Sequence, residues 1–167
     1  RKRGLCMSEV KAYAAAGEIN RVLAARLLPG QDVVEGIIAL IKSNNITSGT
    51  IMAIGSLRSA KVVWAGSMEF GDNPMDVAVF HEMEGPVELG VSNGVFGTNE
   101  DGEVLVHVHG LVMDKEGNMP CGNLLPGSAP VLATVELTIQ EFKGLELKPT
   151  TDPEWKHKFL HPVKSAD

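Results

Sequence analysis

An α+β fold with a largely antiparallel sheet is the architecture that this sequence predicts. Helical periodicity occurs in one clear stretch, residues 32–44, and it stands early in the chain. The remainder breaks into short apolar runs rich in β-branched residues, separated by polar turns. No second helical pattern alternates with those runs, which argues against a repeating βαβ unit.

Each element has its own local signal. Residues 1–18 are polar and alanine-rich without a sustained period, and are expected to form an arm ahead of a main domain at 19–148. A first strand is expected at about 18–28, closed by Pro29-Gly30, a strong stop. Asp32 caps the helix and Glu35 stands three residues on, the capping-box spacing. Val34, Ile37, Ile38 and Ile41 then fall at i, i+3, i+4 and i+7, so one face is apolar and should lie on a sheet. Asn44-Asn45 suits a left-handed exit. Separate strands are expected at 49–57, 60–65, 75–83 and 86–96. Asn99-Glu100-Asp101-Gly102 and Asp114-Lys115-Glu116-Gly117-Asn118 are turns that bracket a ten-residue apolar strand at 104–113. A last strong strand, 130–142, alternates Val131, Ala133, Val135, Leu137 and Ile139 with Leu132, Thr134, Glu136, Thr138 and Gln140. Residues 149–167 form a tail rich in Pro, Lys and His, expected to be solvated.

Composition narrows the function classes. A chain of 167 residues with 44% hydrophobic content buries a core without metal or disulfide staples. Fifteen basic against 21 acidic residues give a net charge of −6, which lowers the expectation of a nucleic-acid partner. No apolar run approaches the roughly 20 residues of a membrane span. Cys6 and Cys121 form no C-x-x-C pair, and Arg1-Lys2-Arg3 precedes no long apolar core, so an intracellular, cytoplasmic setting is expected. No P-loop, G-x-G-x-x-G or H-E-x-x-H signature occurs. Gly90, Gly94 and Gly97 suggest bulges or close backbone packing within a strand. Met52, Met68, Met75, Met83, Met113 and Met119 share no helical spacing and are expected to fill the core.

The chemistry concentrates at His107-Val108-His109. On a strand both imidazoles leave the same face, with Cβ atoms about 7 Å apart, a spacing that suits two ligands of one metal ion. Leu105 and Leu111 share that face while Val104, Val106, Val108 and Val112 form the other, so the strand is expected to be buried on both sides. Two readings stay open: metal ligands, or core histidines bonded to carbonyls or a carboxylate. Asn123, Cys121 and His81 are candidates to complete a metal site. A weakly completed metal would leave open positions for water-activated chemistry, with Glu82, Glu84 or Glu88 as a base.

Taken together, these segments resemble the PPC (plants and prokaryotes conserved) domain family over roughly residues 22–147. Arg26-Leu27-Leu28-Pro29-Gly30-Gln31-Asp32 is similar to the family's R-L-x-P-G-x-D start, and Ile54-Gly55-Ser56-Leu57 to its I-G-x-L segment. His107-Val108-His109 together with the later Gly122-Asn123-Leu124-Leu125-Pro126-Gly127 resembles H-x-H … G-H-L-x-x-G. Gly85-Pro86-Val87-Glu88-Leu89 stands where plant members carry G-R-F-E-I, a partner-binding segment, with Pro86 in place of the Arg. The resemblance implies a bent, mainly antiparallel sheet with one main helix packed on it, assembled as a homotrimer. It also implies a metal site, typically zinc, whose ligand positions here are His107, His109 and Asn123. Asn123 replaces the third His, so zinc should bind more weakly, use Cys121 as substitute, or give way to a small organic ligand. Plant members carry an AT-hook that this sequence lacks, so DNA binding is not implied by the domain alone.

Overall fold

The computed structural model describes residues 11–67, 74–153 and 155–165. Its elements are β1 (Glu18–Leu27), α1 (Val33–Ser43), β2 (Ser48–Ala65), a short 3-10 turn (Pro74–Val77), β3 (Ala78–Thr98), β4 (Val104–Met113), β5 (Cys121–Leu124), β6 (Val131–Lys143), β7 (Leu145–Thr151) and β8 (Lys158–Lys164). Six strands form one antiparallel sheet in the order β1-β6-β2-β3-β4-β5. β5 also pairs with β2, Leu124 opposite Val62 and Asn123 opposite Val63. The sheet therefore curls until its last strand meets the far half of β2, the bent antiparallel arrangement expected.

Bending follows from length. A straight strand of 21 residues, as in β3, would run about 70 Å, far more than a domain of this size spans. The β2–β3 ladder bends at register shifts between Ala53 and Gly55 and between Leu57 and Ser59. This corrects the expectation of four separate strands: 49–57 and 60–65 are one element, as are 78–83 and 86–96. The apparent breaks are bulges within a continuous ladder, and 75–77 belong to the 3-10 turn. At the bulge, Arg58 N–H donates to the Pro130 carbonyl at 2.8 Å and Lys61 N–H to the Ser128 carbonyl at 2.9 Å. Backbone donors that the bulge removes from the ladder are thus satisfied by the segment entering β6.

The helix forms as its spacing predicts. Asp32 Oδ1 accepts from the N–H groups of Val34 and Glu35, both at 3.0 Å, a cap of about 1 kcal/mol. Asp32 Oδ2 accepts from Ala129 N–H at 2.8 Å, tying the helix start to the approach of β6. Asn45, at φ 53°, makes the left-handed exit. Val33, Val34, Ile37 and Ile41 are buried in one core with Ile51, Leu57, Leu89, Phe96, Val108, Val112 and Ile139. On β6, Val131, Val135, Leu137 and Ile139 face that core as the alternation requires. Glu141 is buried beyond them, accepting from Arg21 Nε at 2.7 Å and Asn20 Nδ2 at 2.8 Å.

Three expectations are overturned. Of the described methionines expected in the core, Met83 alone is buried; Met52 and Met113 are exposed on the sheet face opposite the helix, and Met75 and Met119 are exposed outside the sheet. Met68, like Cys6 and residues 1–10, lies outside the described residues. The stretch after residue 148 is not a solvated tail: β7 and β8 pair over seven residues, from Leu145 opposite Lys164 to Thr151 opposite Lys158, so the boundary at 148/149 falls inside β7. Finally, β4 is buried on one side only. Val108 and Val112 are inaccessible, whereas His107, His109, Leu111 and Met113 are exposed. The glycines behave as expected. A Cβ on Gly94 would meet the His107 carbonyl oxygen, one on Gly97 the Leu147 carbonyl, and Gly90 sits at the register shift between Leu89 and Val91.

Candidate functional site

Cross-strand partners share a face, so register alone places the site. One row crosses the whole sheet: Ala24, Thr138, Met52, Asn93, His109 and Asn123. The neighbouring row runs Val22, Gln140, Thr50, Val95 and His107. Both lie on the sheet face opposite the helix core. The histidines therefore need no buried partners to offset their burial, and the core-histidine reading loses its basis.

His107 Nε2 and His109 Nε2 are 3.1 Å apart, with ring centroids at 5.1 Å and planes at 66°. In the neutral pair one Nε2–H donates to the other ring's Nε2 lone pair. Loss of water around the ring pushes the His107 pKa below its ordinary value, and the neighbouring His109 charge pushes it the same way. At His107 both effects favour the neutral ring, whose lone pair can bind a cation. Asn123 lies opposite His109 on β4 and opposite Val63 on β2. Its Oδ1 is buried without a hydrogen-bond partner. Gly122 permits this closure, because a Cβ there would press on the Val63 backbone.

These three residues form the polar floor of a cavity of about 450 Å3. Its walls are Val63, Trp64, Ala65, Met75 and Ala78 from β2 and the segment leading into β3, and Trp155, His157 and Phe159 from the C-terminal hairpin. His157 also shares an adjoining recess with His107, Asn123 and Lys158. Composition alone assigns the hairpin residues to a solvated tail. Trp155, His157 and Phe159 nevertheless recur at period two, a strand-face signal that could flag them.

The other candidates are placed elsewhere. His81 pairs with Val62, the residue before Val63, so it leaves the opposite face from Asn123. Cys121 is an exposed free thiol two residues before Asn123, opposite Leu111, and does not line the cavity. Glu82 pairs with Lys61 at 2.7 Å, and that hydrogen bond and charge lower its pKa. Glu84 and Glu88 lie opposite Ser59 and Ser56. None of the three lines the cavity. In the segment Gly85 to Leu89, Val87 and Leu89 belong to the core while Pro86 and Glu88 are exposed. Among the described residues, no group of three or more His, Cys, Asp or Glu is placed to hold a metal ion. A donor set here is two imidazoles and an amide.

Similarity to known proteins bears on this geometry. A family model described as the Plants and Prokaryotes Conserved (PCC) domain matches residues 14–143. Three similar solved structures come from archaea and a bacterium. One from Archaeoglobus fulgidus, described as a metal-containing protein, is 23% identical with a TM-score of 0.73, covering 90% of this chain and 99% of its own. A plant- and prokaryote-conserved (PPC) protein of Pyrococcus horikoshii is 23% identical with a TM-score of 0.71, covering 91% and 99%. A Bacteroides thetaiotaomicron protein provisionally named as DNA-binding is 18% identical with a TM-score of 0.70, covering 90% and 97%. At these identities the likeness concerns the fold. No curated relative matches the sequence.

Proposed function

The chain belongs to the Plants and Prokaryotes Conserved (PCC) domain family, and from that premise we propose that it is a trimeric binding protein whose cavity takes a divalent metal ion, zinc first, at His107 and His109. The observation that carries this reading is the 3.1 Å separation of the two Nε2 atoms beside the unpartnered Asn123 Oδ1. Two imidazole nitrogens at about 2.0–2.1 Å from one tetrahedral zinc stand roughly 3.3 Å apart, so the residues present fit the ion. An amide oxygen is a weaker donor to zinc than imidazole, so Asn123 completes the site loosely and leaves positions open toward the cavity. The Archaeoglobus protein described as metal-containing supports the reading through its shared fold.

Elemental analysis of protein purified without a His tag or chelator tests it. About one zinc per chain is expected, with loss of the metal in His107→Ala. No zinc after add-back would end the proposal.

Assembly is supported by the part of the sheet face opposite the helix where Val22, Met52, Ile54, Val91 and Leu111 are exposed. Light scattering should give the mass of three chains, and a monomer at micromolar concentration would refute that part. A DNA-associated role ranks second. The Bacteroides protein's name favours it, whereas the net charge of −6 opposes it. A hydrolytic role finds no carboxylate among the described lining residues to act as base.

A further inference from the structure

Above its polar floor the cavity is aromatic, and the chain is not. Aromatic residues make up 5% of the sequence, and tryptophan occurs twice. Both tryptophans, Trp64 and Trp155, line this one cavity together with Phe159. None of the three serves the core, since they are 37%, 42% and 41% exposed, and Phe96 is the core's one aromatic side chain among the described residues. Leaving such large apolar rings in water forgoes about 25 cal/mol for each Å2 left uncovered. Rings held that way around a concavity are positioned for an occupant with a π-face of its own.

The charge pattern says which kind. The chain carries 21 acidic residues, yet none of the described lining residues is acidic. Besides Asn123, the polar groups there are the ring nitrogens of His107, His109 and His157, with the Lys158 ammonium in the adjoining recess. Ring N–H groups donate to a carboxylate without carrying charge. Trp155, His157 and Phe159 belong to the C-terminal hairpin, beyond the residues that the family model matches.

We propose that the cavity binds a small planar aromatic carboxylate, its ring among Trp64, Trp155 and Phe159 and its carboxylate toward His107, His109 and His157. The proposal rests on the metal-site reading only in sharing its floor; the aromatic wall stands without a metal. The test is calorimetric titration of the full chain, zinc-free and zinc-loaded, with benzoate, benzamide and cyclohexanecarboxylate, alongside tryptophan fluorescence. Benzoate should saturate at about one per chain and change the fluorescence. The neutral amide and the non-aromatic acid should each bind roughly tenfold more weakly. Trp155→Leu and, separately, Phe159→Leu should weaken benzoate roughly fivefold to tenfold while zinc content stays as in the unaltered protein. Equal affinity for benzoate and cyclohexanecarboxylate, unchanged affinity in both variants, or no saturable benzoate binding would each overturn the proposal. Zinc bound without benzoate defeats this inference and leaves the metal reading standing. Benzoate bound by a protein that takes no zinc does the reverse.

Discussion

At Asn123 a neutral amide sits between two strands with its oxygen buried and unpartnered, a position that ordinarily costs about 1–3 kcal/mol. Such a cost persists where a ligand relieves it. Asn123→His replaces the weak donor with a third imidazole on the same face as His107 and His109. Zinc affinity should then rise at least about tenfold, read by competition with a chromophoric chelator. Unchanged affinity would place the third donor elsewhere. The pair at 107 and 109 is legible from its spacing alone, since alternation along a strand is a local property. His157 is not, because nothing local says that a residue 48 positions after His109 returns to the same cavity.

The β4–β5 connection shows how an element end carries its own stability. Asp114 Oδ1 accepts from Glu116 N–H at 3.0 Å and Asn118 N–H at 2.8 Å, and its Oδ2 from Asn118 Nδ2 at 2.7 Å. The Asn118 side chain is the main cause holding the Asp114 pKa below its ordinary 3.8; partial desolvation opposes it, and backbone N–H groups add to the lowering. A carboxylate with a depressed folded-state pKa binds fewer protons folded than unfolded near that pH. Its contribution is therefore present above 3.8 and lost as pH falls through the folded value. Asp114→Ala should lower the urea midpoint at neutral pH, and the gap to the unaltered protein should close below about pH 3.8. A gap independent of pH would show that the carboxylate's charge plays no part. This turn and the helix are readable from sequence, because Asp-x-x-Gly-Asn and Asp32-x-x-Glu35 are short-range signals. The bulges in β2 and β3 are not. Arg58-Ser59 and Glu84-Gly85 look like strand ends until the ladder and the 128–130 segment supply their partners.

Across the whole molecule, the C-terminal hairpin rests on the sheet where β3 has no side chain. A Cβ on Gly97 would collide with the Leu147 carbonyl and approach Leu160, so Gly97→Ala must lift the hairpin. It should destabilise the fold by about 1–3 kcal/mol and weaken benzoate binding together with stability. Thermal unfolding with the benzoate titration checks both, and a variant of unaltered melting temperature would show that the hairpin yields freely. No helix among the described residues is long and apolar enough to cross a membrane. The amino-acid sequence by itself determined the antiparallel α+β class, the capped helix and the paired imidazoles, because periodicity, caps and alternation act over a few residues. Only the tertiary structure decided which face of β4 is covered, that β5 closes onto β2 beside Val63, and that Trp64, Trp155, His157 and Phe159 surround the histidines. Those facts depend on the bending and register of strands far apart in sequence, where a slip of one residue turns every side chain to the other face.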